Sequence, residues 1–296
     1  MLTPDSLQLE LPSGYRWVQG EQGLMAVFSS AALALEAAGF CPDSDGALIE
    51  SDAVGRRPLE ELRGGEESFL VRRFSHGGLL RWMTGARFLD PRRPFLELLL
   101  SHGLTERGVQ TPRVIAARAR RKGLWWELSL VTVRVEGAAD VGRWIAGIRQ
   151  GARTRRSFAS VLTAFGVLVR SMHEGGFHHA DLQPNNVLVE EGTESKEDPR
   201  LWILDLDRSE QVAELEKSRR LSNLGRLSRF VERRERERGA CLTLSDRMRF
   251  LRGYEPLRVS RHALWRSLSL KADSSGRHGV GWWLERLFGG EDPREK

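Results

Sequence analysis

Cysteine is nearly absent. Cys41 and Cys241 are the two in 296 residues, too few and too far apart for a disulfide framework, and a reducing compartment is the natural setting. Long apolar runs are missing too. No stretch approaches the roughly 18 uncharged apolar residues needed to cross a bilayer, and the opening MLTPDSLQLE lacks the basic-then-apolar layout of a signal peptide. The chain is therefore expected on the cytoplasmic side. There are no internal repeats, which excludes a solenoid, and the only low-complexity piece is the polar stretch 190–198. What remains is ordinary for a soluble globular protein: 40% hydrophobic and 29% charged residues, with ample length for one large domain or two lobes. The formal charge of +6 implies an anionic partner, which charge alone leaves open among nucleotide, nucleic acid and the acidic face of a membrane.

The most informative segment is GFHHADLQPNNVLV at 176–189, followed by WILDLD at 202–207. Phosphoryl transfer depends on positioning and charge neutralisation more than on covalent chemistry. It needs a loop carboxylate to accept the proton of the attacking hydroxyl, a carboxamide five residues later, and a second carboxylate on its own strand. Asp181 reads as that base, with Asn186 and Asp205 as magnesium ligands. The histidine, aspartate, leucine and asparagine of the protein-kinase pattern H-R-D-L-x-x-x-N all match, while its arginine is replaced by Ala180 and the D-F-G that follows reads DLD, with Asp207 in place of the glycine. No A-P-E follows, and residues 211–217 read as a helix where an activation loop would lie. A kinase switched by phosphorylation of that loop is disfavoured, and a small-molecule or lipid-sugar kinase is favoured. Taken singly, these Asp and Asn residues would read as turn and cap residues. His179 reads as a residue that fixes the loop by a hydrogen bond, and His178 as packing or solvent-facing.

Upstream, residues 29–38 predict a short helix stopped by Gly39. Residues 53–74, with a turn at Gly64 and Gly65, predict a β-hairpin in a nucleotide-binding lobe. Gly55 is a candidate for backbone approach to phosphates, or simply a turn residue. Arg72 and Arg73 interrupt an apolar strand, where charge is costly unless paired or ligand-bound. Alternation puts Arg72 with Leu70 and Phe74 and puts Arg73 on the other face. Glu97, in the helix from 94, is the natural partner of a phosphate-gripping strand residue, and arginine there would present a fixed fork to two phosphate oxygens. Exposed edge-strand charge is the plain alternative for Arg73. Residues 111–117 and 123–135 predict two or three further strands. Glu136-Gly137 then reads as a hinge, dividing lobes 1–135 and 136–296.

Apolar positions at i, i+3, i+4 and i+7 predict a core helix over 157–173, ended by Gly175-Gly176. Arg149, Arg153, Arg155 and Arg156 form a basic cluster, read as a solvated connection or as a seat for acceptor phosphates. Arg219-Arg220 and the run 229–238 make a strongly charged helix, read as a solvent face. The tryptophan-bearing segments 262–270 and 279–288 fit an interfacial anchor or a helix covering the larger lobe.

These residues together resemble the 3-deoxy-D-manno-octulosonic acid (Kdo) kinases of the lipopolysaccharide core kinase group. The resemblance runs from about 55 to 229. It is carried by LVRRF and HGGLL at 70–80, FLEL at 95–98 with 108–112, the catalytic loop, WILDLDR at 202–208, and LSNLGRLSRF at 221–230. It implies an α+β, two-lobed protein-kinase-like fold, with an N-lobe of antiparallel sheet plus helix and a mainly helical C-lobe. It further implies transfer from ATP with Mg2+ to a Kdo hydroxyl on a lipid A precursor, peripherally at the anionic cytoplasmic face of the inner membrane, with no nucleic acid expected. The base falls on Asp181, the metal ligands on Asn186 and Asp205, and the nucleotide contacts on Gly55, Arg72 and Glu97. The phosphate loop departs from the pattern, Gly55-Arg56-Arg57 having arginine where a second glycine is usual. Another acceptor, such as core heptose or a protein hydroxyl, and a non-catalytic nucleotide-binding scaffold at the membrane stand as alternatives.

Overall fold

The computed structural model describes residues 2–51, 59–64, 67–75, 87–151, 154–190, 192, 199–239 and 242–274. Gly55, the HGGLL run, Arg153, most of 190–198 and the segment 279–288 lie outside them. The chain forms two compact units: Met1–Glu106 with Thr111–Glu136 and Leu206–Arg208, and Arg107–Gln110 with Gly137–Asp205 and Ser209–Lys296.

The first unit is built on an antiparallel sheet. In chain order its elements are α1 (Pro4–Leu7), β1 (Tyr15–Gln19), β2 (Gly23–Phe28), α2 (Ala32–Ala37), β3 (Ile49–Glu50), β4 (Glu60–Gly64), β5 (Glu67–Arg73), α3 (Arg93–Glu106), β6 (Val114–Lys122) and β7 (Trp125–Val133). The strands among the described residues run in the order β1-β2-β6-β7-β5-β4-β3. Strand β2 lies inside the sheet and is buried on both faces, so GLMAVF is apolar at every position rather than alternating. Leu24 and Ala26 face a core shared with Phe74, Phe95 and Leu98. Met25 and Val27 face the opposite core with Leu35, Phe69 and Val71. Helix α3 covers the first face and α2 the second. Gly39, at φ +74°, ends α2 as the sequence predicts.

Charge enters this unit in pairs. Arg118 is only 1% exposed. It is held by the Asp45 carboxylate, by the carbonyl oxygens of Cys41 and Ser44 at 3.0 and 2.6 Å, and by the Phe40 ring, 4.2 Å from its guanidinium carbon. This staples residues 41–45 to the sheet.

The second unit begins with β8 (Ala138–Asp140), α4 (Val141–Arg149), α5 (Arg155–Glu174) and β9 (Phe177–His178). There follow β10 (Val187–Glu190), β11 (Leu201–Ile203), β12 (Glu210–Gln211), α6 (Lys217–Arg238), α7 (Leu244–Tyr254) and α8 (Arg258–Ser274). Helix α5 buries Phe158, Val161, Leu162, Phe165, Leu168, Val169 and Met172, the stripe its periodicity predicts. It lies directly on α7. A Cβ on Gly166 would be driven into the carbonyl oxygen of Phe250, and one on Gly253 into that of Thr163, so both glycines are needed for backbone approach.

One expectation is corrected here. Residues 211–217 are not a helix: Glu210 and Gln211 pair with His178 and Phe177, and α6 starts only at Lys217. Cross-strand bonding near Gly176 wins over a weak helical pattern. In α6 the charged positions 219–220 and 229–238 all keep some exposure, as expected, while Asn223, Leu224, Gly225 and Leu227 between them are buried.

The whole is an α+β, kinase-like organisation: a unit of antiparallel sheet with a covering helix, and a mainly helical unit. No helix among the described residues is long and apolar enough to cross a membrane.

Candidate active site

The loop between β9 and β10 is organised by histidine. Buried His179 accepts the Asp181 backbone N–H at Nδ1 (3.0 Å), so its proton sits on Nε2, which donates to the Leu204 carbonyl (2.9 Å). Burial pushes its pKa down and keeps it neutral. One ring thus ties the backbone at Asp181 to the residue just before Asp205. The hydrogen-bonding role expected of His179 is what it performs.

Asp181 is one-third exposed. Its Oδ2 accepts from Gln183 Nε2 at 2.9 Å. Asn186 is buried and donates Nδ2–H to the Asp181 carbonyl at 2.8 Å, which fixes the amide and turns the acceptor atom Oδ1 toward another partner. Val187 pairs with Ile203 across the β10–β11 ladder, and Leu204 N–H donates to Asn186 O at 2.9 Å. Asp205 therefore follows directly on the residue paired with Asn186. It holds φ +57°, a left-handed conformation uncommon for a residue with a side chain and enriched at functional sites. The fold thus brings Asp181, Asn186 and Asp205 into one neighbourhood of the second unit.

Asn186 and Asp205 offer one carboxamide and one carboxylate. Magnesium takes few protein oxygens and fills its remaining positions with water and phosphate oxygens, so this donor set fits it. No cluster of three or more His, Cys, Asp or Glu able to hold a metal by itself occurs among the described residues.

In the first unit, Arg72 pairs with buried Glu97 on α3 and packs over Phe74, 4.6 Å from the ring centre. Arg73, on the other face, is paired with Glu60 at 2.7 Å and Asp45 at 3.3 Å; its strand lies between β7 and β4, so it is not the exposed edge-strand charge offered as its alternative. One turn before Glu97, Arg93 clasps Asp207 through Nε and Nη2 and lies over Phe74 and Phe88. Asp207, which stands where a glycine is usual, is therefore the acceptor of a bidentate ion pair. Of the basic cluster, Arg155 is committed to the buried carboxylate of Asp246 at 2.8 Å.

Sequence reasoning missed Asn223 and Arg226. Asn223 Oδ1 accepts from His179 N–H (3.1 Å) and His173 Nε2–H (3.1 Å), while Nδ2 donates to His179 O (2.7 Å) and His178 Nε2 (3.1 Å). Arg226 Nη1 lies 3.7 Å from Asp181 Oδ1. The available signal was their i, i+3 spacing in LSNLGRLSRF, which puts both on one helical face.

Residues 64–254, more than half of the chain, match the profile described as the lipopolysaccharide kinase (Kdo/WaaP) family. The chain is 27% identical over 198 residues to a 3-deoxy-D-manno-octulosonic acid kinase of Vibrio cholerae serotype O1, covering 64% of this chain and 77% of that one. It is 28% identical over 211 residues to the protein of the same name from Vibrio vulnificus, covering 70% and 83%. The solved structure of WaaP in complex with acyl carrier protein aligns with a TM-score of 0.51 at 21% identity, over 77% of this chain and 89% of that one. That likeness speaks to the fold alone.

Proposed function

Since the chain belongs to the lipopolysaccharide kinase (Kdo/WaaP) family, we propose that it transfers the γ-phosphoryl group of ATP to a hydroxyl of Kdo on a lipid A precursor. The observation that carries the reading is the His179 bridge, which joins the Asp181 backbone to that of Leu204 and so positions a base beside a carboxamide and a second carboxylate. Kinship with proteins named as Kdo kinases supports the choice of acceptor.

Asp181 accepts the proton of the acceptor hydroxyl. Gln183 restrains one of its oxygens by a 2.9 Å hydrogen bond and so orients the carboxylate. Asn186 and Asp205 are the residues to hold a magnesium ion. When bound, that ion would neutralise charge on the β- and γ-phosphate oxygens. Arg72, oriented by Glu97, grips phosphate oxygens of the nucleotide; its planar fork stays charged at any working pH. Gly55 completes the nucleotide contacts of this proposal. The site of action is peripheral, at the anionic cytoplasmic face of the inner membrane, a placement supported by the net charge of +6.

The test is transfer of labelled phosphate from ATP to Kdo-lipid IV(A), with core heptose and protein acceptors assayed in parallel. Asp181→Asn should keep nucleotide affinity and lose turnover by about 100- to 10,000-fold. Wild-type turnover in that variant would remove Asp181 from the chemistry. Transfer to heptose or protein but not to Kdo would remove the acceptor assignment.

A further inference from the structure

Helix α6 carries more than a structural clamp. Asn223 grips both backbone polar groups of His179, which fixes the register of the helix against the loop. One turn later on the same face, that register delivers Arg226 to Asp181. Its Nη1 lies 3.7 Å from Asp181 Oδ1, beyond hydrogen-bonding range, and its side chain is 49% exposed. Among the described residues its guanidinium makes no hydrogen bond. Three other arginines of the helix are engaged: Arg219 by Glu210, Arg220 by the Leu215 carbonyl at 3.0 Å, and Arg234 by Glu237 at 3.4 Å. Gly225, just before Arg226, is buried, and Arg229 Nη1 lies 3.3 Å from where its Cβ would be. A second guanidinium thus lies over the backbone beside Arg226.

A hydroxyl bound to Asp181 for deprotonation sits within about 2.6–3.2 Å of its carboxylate. Whatever Arg226 touches must then lie on the acceptor close to that hydroxyl. Guanidinium forks favour planar carboxylates and phosphates over neutral hydroxyls. A sugar acid carries its carboxylate on the same ring as its hydroxyls, whereas the phosphates of a lipid A precursor are on other sugars. Resting on the acceptor reading above, we infer that Arg226 is an acceptor-binding residue that engages the carboxylate of the sugar acid and so discriminates against neutral sugars. The γ-phosphoryl group is the competing anion, but the neighbour of Arg226 is the group that meets the acceptor, and phosphate oxygens already have Arg72 and the metal-binding pair.

The experiment compares wild type, Arg226→Ala, Arg226→Lys and, as a charge control on the same helix, Arg234→Ala. Each is assayed on Kdo-lipid IV(A) and on the same lipid with its Kdo carboxylate converted to the methylamide, phosphates intact. On the native acceptor, Arg226→Ala should lower kcat/KM about 10- to 100-fold, as for loss of a charge-assisted hydrogen bond, and through acceptor KM rather than kcat. Lysine should recover part of the loss, KM for ATP should stay put, and Arg234→Ala should match the wild type. Wild type should lose a similar factor on the amide, and Arg226→Ala should lose little more there. An equal loss by Arg226→Ala on both acceptors would overturn the inference. Expressed in kcat, that loss assigns the guanidinium to the phosphoryl group; expressed in acceptor KM, it assigns it to a lipid phosphate. Failure of the wild type to phosphorylate either lipid is a separate result that sinks the acceptor assignment, and this inference with it.

Discussion

Asn223 uses its full hydrogen-bonding capacity, accepting two bonds at Oδ1 and giving two from Nδ2 while 1% exposed. Asn223→Ala strips all four. At about 0.5–1.5 kcal/mol net for each, and with the buried N–H and C=O of His179 left without partners, the loss is about 4 kcal/mol. That is a large part of the roughly 5–15 kcal/mol that holds a typical domain together, so the variant should fold but weakly. With a urea slope of about 2 kcal/mol per molar, the midpoint of the transition followed by far-UV circular dichroism should fall by about 2 M. The loop residue released is two positions before Asp181, and misplacement of a reacting group by about 1 Å costs on the order of 100-fold in rate. Turnover at saturating substrate and low temperature, where the variant is folded, should drop by about that factor. A midpoint within about 0.5 M of wild type together with unchanged kcat would refute the claim that α6 pins the catalytic loop.

Two further predictions concern stability. Gly253→Ala should wedge α5 and α7 apart and cost about 1–3 kcal/mol of overpacking, read as a fall of several degrees in Tm; an unshifted Tm would show that the two helices need not touch there. Burial pushes the pKa of His173 down to about 4, against about 6.5 for the unfolded chain, while its ring hydrogen-bonds Tyr254 and Asn223. Between these values the unfolded chain binds a proton that the folded one refuses, so stability should fall as pH drops from about 6.5 to 4. About 3 kcal/mol is lost at the lower end, and the lowered pKa values of His178 and His179 act in the same direction. Urea midpoints that stay level from pH 7 to 4.5 would contradict this.

What the sequence made legible were features fixed by local chemistry. The stripe of α5 follows from helical period and the end of α2 from Gly39, while the Arg72–Glu97 pair is expected from the cost of an unpaired strand charge together with the kinase pattern of a strand cation and a helix glutamate. The β1–β2 hairpin escaped notice because a strand buried on both faces shows no alternation. The partnerships of Asn223 with His179, Arg226 with Asp181 and Arg93 with Asp207 join residues 44, 45 and 114 positions apart. No local rule announces such contacts; only their spacing on α3 and α6 hints that they share a face. Residues 211–217 misled because a few apolar positions at helical spacing do not reveal that the backbone there has a strand to bond.

The connector from Asp205 to α6 is stitched down along its length. Ser209 Oγ takes the Ala180 N–H at 3.1 Å, Val212 N–H bonds Gly176 O at 3.0 Å, and Leu215 O is capped by Arg220. A segment so fastened has little slack to be rearranged by a modifying enzyme. Under the function proposed above, phosphorylation of this connector is therefore expected to leave turnover unchanged, and control would fall on supply of substrates or on abundance of the protein.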